Sequence, residues 1–285
     1  MPKQLLVFGP GYSAVPVMTQ AQENGWLVTG TYRSDETRQM LEKQGFKAID
    51  FTSGRLPTRD GPLHILITAA PTREGADPVL SVWEKALLNS ENIKTICYLS
   101  STNVYGDHSG DWVTEETMPN PSLERGTRRL EAEKSWEKLA KNIKASCFIF
   151  RLAGIYGPGR NAIQSLKTGK AKSILKPGQV FSRIHVTDIT AALWAAITGP
   201  YKGGIYNLAD DLPCPPHEVI AEAARLMGVP APVLENWETA DLSPMARSFY
   251  TENKRVDNTK IKQELGLDLK YPDYKSGLKA LIETE

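Results

Sequence analysis

Over the first two hundred residues, short apolar runs alternate with stretches whose apolar residues recur every three or four positions. That rhythm is the pattern of βαβ units, because a parallel strand buried on both faces reads as a brief apolar run and its crossover helix as a 3.6-period segment. The runs are 5–8, 27–31, 48–51, 65–68, 96–99, 145–150 and 205–208. The helical stretches are 15–24, 36–43, 79–89, 126–141, 187–197 and 218–227, with Thr187 placed to cap the fifth of them. An α/β fold built on a doubly wound parallel sheet is expected. After residue 156 the texture changes: Tyr156-Gly-Pro-Gly, Lys176-Pro-Gly, Pro213-Cys-Pro-Pro and Pro230-Ala-Pro cut the chain into shorter pieces, as a smaller lobe would require. The expected domains are 1–158, with 183–210 returning to it, and a smaller substrate lobe of 159–182 and 211–285. In the tail, a helix from Asp257 is ended by Gly266, a strand-like or extended Leu269-Lys-Tyr-Pro follows, and a last helix covers 277–284.

Composition excludes several classes of function. The 34 Lys and Arg against 33 Asp and Glu leave a net charge of +1, which offers no basic field for nucleic acid or for an anionic membrane. The longest apolar run, 191–197, is far short of the ~20 residues a membrane span needs. Residues 5–8 stop at once in Gly9-Pro10-Gly11, so they do not read as a secretory leader. Cys97, Cys147 and Cys214 are odd in number and lack CxxC spacing, so they read as reduced thiols and place the chain in the cytoplasm. Four scattered histidines without ligand spacing predict no metal.

Directly after the first strand comes Gly9-Pro-Gly11-Tyr12-Ser13-Ala14, then a helix, then the second strand, the context that a dinucleotide-binding turn requires. Gly9 permits the tight turn, Gly11 admits a pyrophosphate close to the backbone, and Ala14 lets helix and strand pack closely. The second strand ends in Thr31-Tyr32-Arg33-Ser34 rather than in a carboxylate. Arg33 and Arg38 could meet a 2′-phosphate with Ser34, which favours NADP(H) over NAD(H). The alternative for Arg33 is a solvated arginine at a helix start. Asp50 would meet the adenine or be a solvated loop carboxylate, and Ala69-Ala70-Pro71 would leave room for the cofactor.

Further motifs follow in order: Tyr98-Leu-Ser-Ser101-Thr-Asn-Val-Tyr105-Gly106, Val113-Thr-Glu115, Asn120-Pro121, Arg151-Leu-Ala-Gly-Ile-Tyr156-Gly-Pro-Gly159, Arg183-Ile-His-Val-Thr-Asp188 and Tyr206-Asn-Leu-Ala-Asp210. Together they resemble the extended short-chain dehydrogenase/reductases, the NAD(P)-dependent epimerase/dehydratase group. The resemblance implies a Rossmann domain with a small C-terminal substrate lobe, a small-molecule substrate, and a homodimer through the helices after strands four and five. It also implies a reacting oxygen bound by Ser101 and a Tyr-x-x-x-Lys pair on the next helix. Here that stretch reads Arg125-Gly-Thr-Arg-Arg129-Leu-Glu-Ala-Glu133, so arginine fills both positions. Arginine does not release its proton near neutrality, and the chain therefore resembles the atypical branch. The plain reading of the stretch is a charged helix face. The family's upstream Asn falls near Asp77.

Tyr105 and Tyr156 are the replacement proton donors, with a packing role as the alternative for Tyr105. His108 could titrate near neutrality or be an exposed loop histidine. Arg183, Arg247 and Tyr250 would bind substrate or serve structural contacts. The expected function is an NADP(H)-dependent oxidoreductase, epimerase or dehydratase acting on a small polar molecule. The alternative is a catalytically silent NADP(H) sensor or regulatory protein.

Overall fold

The computed structural model describes residues 1–57 and 60–284. The chain begins β1 (Gln4–Phe8), α1 (Val15–Glu23), β2 (Leu27–Tyr32), α2 (Asp35–Lys43), β3 (Lys47–Asp50), β4 (Leu63–Ile67), α3 (Pro78–Leu88), β5 (Ile93–Ser101), β6 (Trp112–Val113), α4 (Glu124–Ile143) and β7 (Ser146–Leu152). It continues β8 (Gly154–Tyr156), α5 (Ala162–Lys167), β9 (Ser173–Leu175), β10 (Arg183–His185), α6 (Val186–Thr198), β11 (Gly204–Leu208), α7 (Pro216–Met227), β12 (Leu234–Asn236), α8 (Pro244–Phe249), β13 (Arg255–Val256), α9 (Thr259–Leu265) and α10 (Tyr274–Thr284). The seven expected strands form one parallel sheet in the order β11-β7-β5-β4-β1-β2-β3. Its order reverses between β1 and β4, whose neighbours lead away in opposite directions, and such a switch point leaves a crevice at the strands' C-terminal ends.

Burial accounts for the strand assignments. Every residue of β1 and of β4 is buried, as central strands covered on both faces must be. Leu6, Phe8, Ile65, Ile67, Ile96, Tyr98 and Ile149 share a core with Trp83 of α3 and Trp136 of α4. Each indole finds an acceptor, so the apolar mass is buried without stranding a donor: Trp83 Nε1 donates to Phe51 O at 2.7 Å and Trp136 Nε1 to Asp77 Oδ2 at 2.9 Å.

The chain divides into two compact units, unit 1 of Met1–Ser101, Glu124–Arg151 and Thr190–Tyr206, and unit 2 of Thr102–Leu123, Leu152–Ile189 and Asn207–Glu285. This differs from the expected boundaries, since 102–123, 152–158, 183–189 and 207–210 join the C-terminal residues. Strand pairing is the reason: β6 pairs with β13, β8 with β10 and β9 with β12, all inside unit 2. Two local expectations also change. Helix α6 starts before Thr187, whose N–H donates to His185 Nδ1 at 3.1 Å, so the histidine takes the capping role. Residues 269–272 form no strand. Asp188 instead accepts from the N–H groups of Lys270 and Tyr271 at 2.7 and 3.2 Å. Gly266 ends α9 in the left-handed conformation, as its place in the sequence suggested.

Within unit 1 the buried Glu133 of α4 is gripped side-on by Arg151 of β7, with Nε to Oε1 at 3.1 Å and Nη2 to Oε2 at 2.8 Å. Ser100 Oγ of β5 donates to the same Oε1 at 2.5 Å. Arg151→Ala leaves the carboxylate buried and uncompensated, and urea denaturation is expected to show a loss of about 3–5 kcal/mol. The double change Glu133→Leu with Arg151→Met should recover most of that loss, because it removes both charges at similar volume.

Candidate dinucleotide site and its surroundings

The C-terminal edge of the sheet in unit 1 begins at the turn after β1. Gly9 has φ +85°, and a Cβ there would lie 2.9 Å from Thr68 Oγ1 and 3.0 Å from the Ala69 nitrogen, so only glycine fits without displacement. Gly11 is exposed and its situation is the opposite: a Cβ would meet nothing closer than Gly9 O at 3.9 Å. A side chain at 11 would therefore fill space above the turn that the protein leaves open. Helix α1 carries Ala14 at its N-cap and has no side-chain cap, whereas Ser34 caps α2 and Asp77 caps α3. An uncapped helix N-terminus beside an open glycine is a fit for a pyrophosphate, which would take the place of a capping oxygen. Tyr12 and Ser13 are half-buried in the same turn, and Ala70, exposed, follows β4 with Ala69 and Pro71. The residues present thus fit a dinucleotide.

Around the end of β2 the structure sorts the expected residues. Arg33 is exposed, with its guanidinium carbon 3.9 Å from the centroid of the Phe51 ring. This stacking holds the cation over a flat apolar base rather than leaving it to swing in solvent. Ser34 Oγ accepts from Thr37 N–H at 3.3 Å, and Arg38 Nε is engaged by Glu42 Oε1 at 2.9 Å on the surface of α2. Asp50 caps the short turn 51–53, accepting from Thr52 N at 2.7 Å and Thr52 Oγ1 at 2.5 Å, and those bonds hold its carboxyl below the usual range. Asp50 thus bonds its own loop through Thr52.

Helix α4 puts Arg129 beside the end of β5. Arg129 Nη1 donates to Leu99 O at 2.7 Å and to Tyr98 Oη at 3.0 Å. The Tyr98 hydroxyl is pushed up to about 12 by burial, with Arg129 pulling the other way. Ser101 closes β5 and is half-buried. Asp77 accepts from Val79 N and Leu80 N at 2.9 and 3.0 Å and from Trp136, so it is a helix cap. The charged-face reading holds for one pair, Glu124 with Arg128 at 3.0 Å. It fails for Glu133 and Arg129, which face the sheet. Sequence reasoning missed the Glu133–Arg151–Ser100 group. The signal was the spacing Arg129, Glu133, Trp136, Ala140, a single inward stripe.

The remaining expected residues lie in unit 2, on contacts within that unit. Tyr105 is fully buried and its hydroxyl donates to Asn207 Oδ1 at 2.7 Å. Tyr156 is buried, donates to Asp273 O at 3.3 Å, and is raised well above the ordinary phenol range by burial. His108 is half-buried against Tyr105 O at 3.1 Å. Arg183 Nη1 donates to Phe181 O at 2.9 Å and lies 3.0 Å from Cys214 Sγ. Arg247 donates to Trp237 O at 3.0 Å and Ala240 O at 2.7 Å. Tyr250 packs edge-on against Phe181, with ring centroids 5.3 Å apart, and burial raises its pKa. Both tyrosines proposed as donors thus make the contacts of packing residues with satisfied hydroxyls, and the two arginines bond backbone carbonyls.

The sheet order and the glycine turn define a Rossmann-type α/β protein. The model of the NAD dependent epimerase/dehydratase family matches residues 67–209, and the chain belongs to that family. Among known proteins it is similar to Protein YeeZ of Escherichia coli strain K12, 27% identical over 288 aligned positions that span 95% of this chain and 97% of that one. Among solved structures it is similar to a functionally unknown conserved protein from Silicibacter pomeroyi, at 44% identity and a TM-score of 0.91, covering 99% of this chain and 98% of the other. A dTDP-glucose 4,6-dehydratase from Bacillus anthracis, solved in complex with NAD, shares the fold at 16% identity and a TM-score of 0.76, over 99% and 97% of the two chains. Among the described residues, no helix is long and apolar enough to cross a membrane.

Gly11→Val tests the open space over the turn. Because a Cβ there meets nothing closer than Gly9 O at 3.9 Å, the circular dichroism spectrum should be unchanged while calorimetry shows dinucleotide binding lost. Binding retained at wild-type strength would reduce the motif to a structural turn.

Proposed function

We propose that the chain binds NADP(H) at this edge of unit 1 and is an oxidoreductase, epimerase or dehydratase-like protein for a small polar molecule, working with an atypical site. The observation that carries the reading is the open glycine turn against an uncapped helix, with Arg33 stacked at the end of β2 where a carboxylate would otherwise select NAD. Gly9, Gly11, Tyr12, Ser13 and Ala14 would hold the pyrophosphate, and Ala69, Ala70 and Pro71 would line the adjoining edge. Arg33 would meet the 2′-phosphate, with Ser34 and Arg38 beside it. When bound, the nicotinamide would supply or accept hydride.

Ser101 would orient the reacting oxygen from the end of β5. No phenol lowered by a lysine stands at the family's position, since arginine fills both places. The dinucleotide complexes and sugar-nucleotide enzymes among the structural neighbours support the reaction class and leave the substrate open. The fit of the edge to a dinucleotide does not depend on turnover, so a silent NADP(H) sensor is the reading that a complete lack of chemistry would leave.

NADPH should bind at least tenfold more tightly than NADH, a difference of ~1.4 kcal/mol, because only the 2′-phosphate gives Arg33 a charge-assisted bond. Fluorescence titration measures both constants. Equal affinities, or a preference that survives Arg33→Ala, would refute the NADP(H) assignment.

With ordinary sugar nucleotides or short-chain carbonyls, NADPH oxidation should stay at background, since a positioned general acid contributes ~10²–10⁴-fold and arginine does not supply one. On a true substrate, Ser101→Ala should lower turnover with NADPH affinity unchanged. Tyr105→Phe and Tyr156→Phe should act on stability alone. A fall in turnover for either phenylalanine variant at wild-type stability would return that tyrosine to the reacting centre.

A further inference from the structure

Arg129 is tied down along one side only. Its Nη1 is spent on Leu99 O and Tyr98 Oη, and its guanidinium carbon lies 5.6 Å from the centroid of the Tyr98 ring. The Tyr98 ring is itself stacked on Trp136, so the guanidinium plane rests on packed aromatic residues. Its other edge, Nε with Nη2, makes no hydrogen bond among the described residues, and Arg129 makes no ion pair among them. The carboxylates that could have paired with it are committed elsewhere. Glu133, one turn on, is held by Arg151 and Ser100. Asp77 is taken by the start of α3 and by Trp136. Arg125, one turn earlier on the same helix, adds a second permanent positive charge.

A half-buried, immobilised cation with no counterion among the described residues suits an anion from outside the chain. Unit 1 shows which one that edge fits, because Arg151 uses the same Nε and Nη2 pair to grip the Glu133 carboxylate. We propose that Arg129, assisted by Arg125, is the carboxylate-binding subsite beside Ser101, and that the protein's small-molecule substrate is a carboxylic acid. The proposal rests on the functional reading above for its reaction and names the substrate class that reading leaves open. Leu99, whose carbonyl anchors Arg129, is two residues before Ser101 on β5, so the subsite and the serine sit at the same strand end. The guanidinium stays charged throughout and transfers no proton. Its part is to bind and orient the acid.

The test is calorimetric titration of the full chain, with and without saturating NADPH, using malonate, its neutral counterpart malonamide, and inorganic phosphate as probes. Malonate should bind at least tenfold more tightly than malonamide and than phosphate. Arg129→Lys keeps one charge but loses the two-donor edge and should weaken malonate at least tenfold. Arg129→Gln should abolish it, and NADPH affinity should stay within twofold in both variants. Malonate no stronger than malonamide would overturn the proposal without any variant being needed. So would phosphate preferred over malonate, or an unchanged malonate constant in a folded Arg129→Lys protein. A tenfold loss of NADPH affinity with malonate intact would also overturn it, by assigning Arg129 to the cofactor. Malonate binding in a protein that never binds NADPH would uphold the subsite and sink the cofactor reading instead.

Discussion

The Glu133 carboxylate is the contact through which α4, β5 and β7 are fixed to one another. Removing a carboxylate and a guanidinium from water carries a large desolvation cost, offset only when geometry is good and the remaining oxygens are bonded. Here Arg151 meets both oxygens and Ser100 adds a third bond, all with donor–acceptor distances of 3.1 Å or less. The consequence reaches the site along the strand. Fixing Ser100 onto Glu133 also fixes the backbone of its neighbour Ser101 at the strand's end. The same helix face, one turn back, lays Arg129 onto Leu99 O. This strand end is thereby held by an ion pair whose two side chains are each only 2% exposed.

At the other end of the sheet the controlling fact is what the protein does not fill. Helices α2 and α3 satisfy their first N–H groups with their own side chains, Ser34 and Asp77. Helix α1 has Ala14 as its N-cap, with no side-chain oxygen to offer, three residues after Gly11, whose missing Cβ leaves the space above the turn open. Orphan donors at a helix start are satisfied by caps, water or ligands. Arg33, stacked on Phe51 at the next strand end, adds a cation to this edge of a chain whose net charge is only +1.

Much of this was legible in the sequence because it depends on local period and local backbone. The seven strands and the helices between them follow from runs of buried residues. Gly9 and Gly11 follow from strand, turn and helix in immediate succession. What the sequence did not reveal depends on tertiary partners. Glu133 and Arg151 are eighteen residues apart and meet only across the sheet, so Glu133 read as one more acid on a charged helix. Tyr105 reaches Asn207 across 102 positions, and Tyr156 reaches Asp273 across 117. No pattern near either tyrosine announces that its hydroxyl is already taken. Thr187 lost its expected cap role for a simpler reason: a histidine two residues earlier offers a ring nitrogen at the right distance.

Guanidinium groups at 125 and 129, in place of the phenol and ammonium that the resemblance implies, would alter what this helix can contribute to a reaction. A tyrosine beside a lysine works by moving a proton, and its value depends on a pKa near the operating pH. A guanidinium holds its proton across the whole physiological range, so its contribution is fixed charge and fixed direction. Fixed charge assists a step only in proportion to how much better it meets the transition state than the ground state. A carboxylate that keeps its charge throughout is bound equally in both, so Arg129 would contribute affinity and orientation rather than rate. Acceleration must then come from groups that face the reacting oxygen as its charge develops. On the proposed reading Ser101 at the end of β5 would be that group, its hydroxyl donating as the oxygen becomes negative.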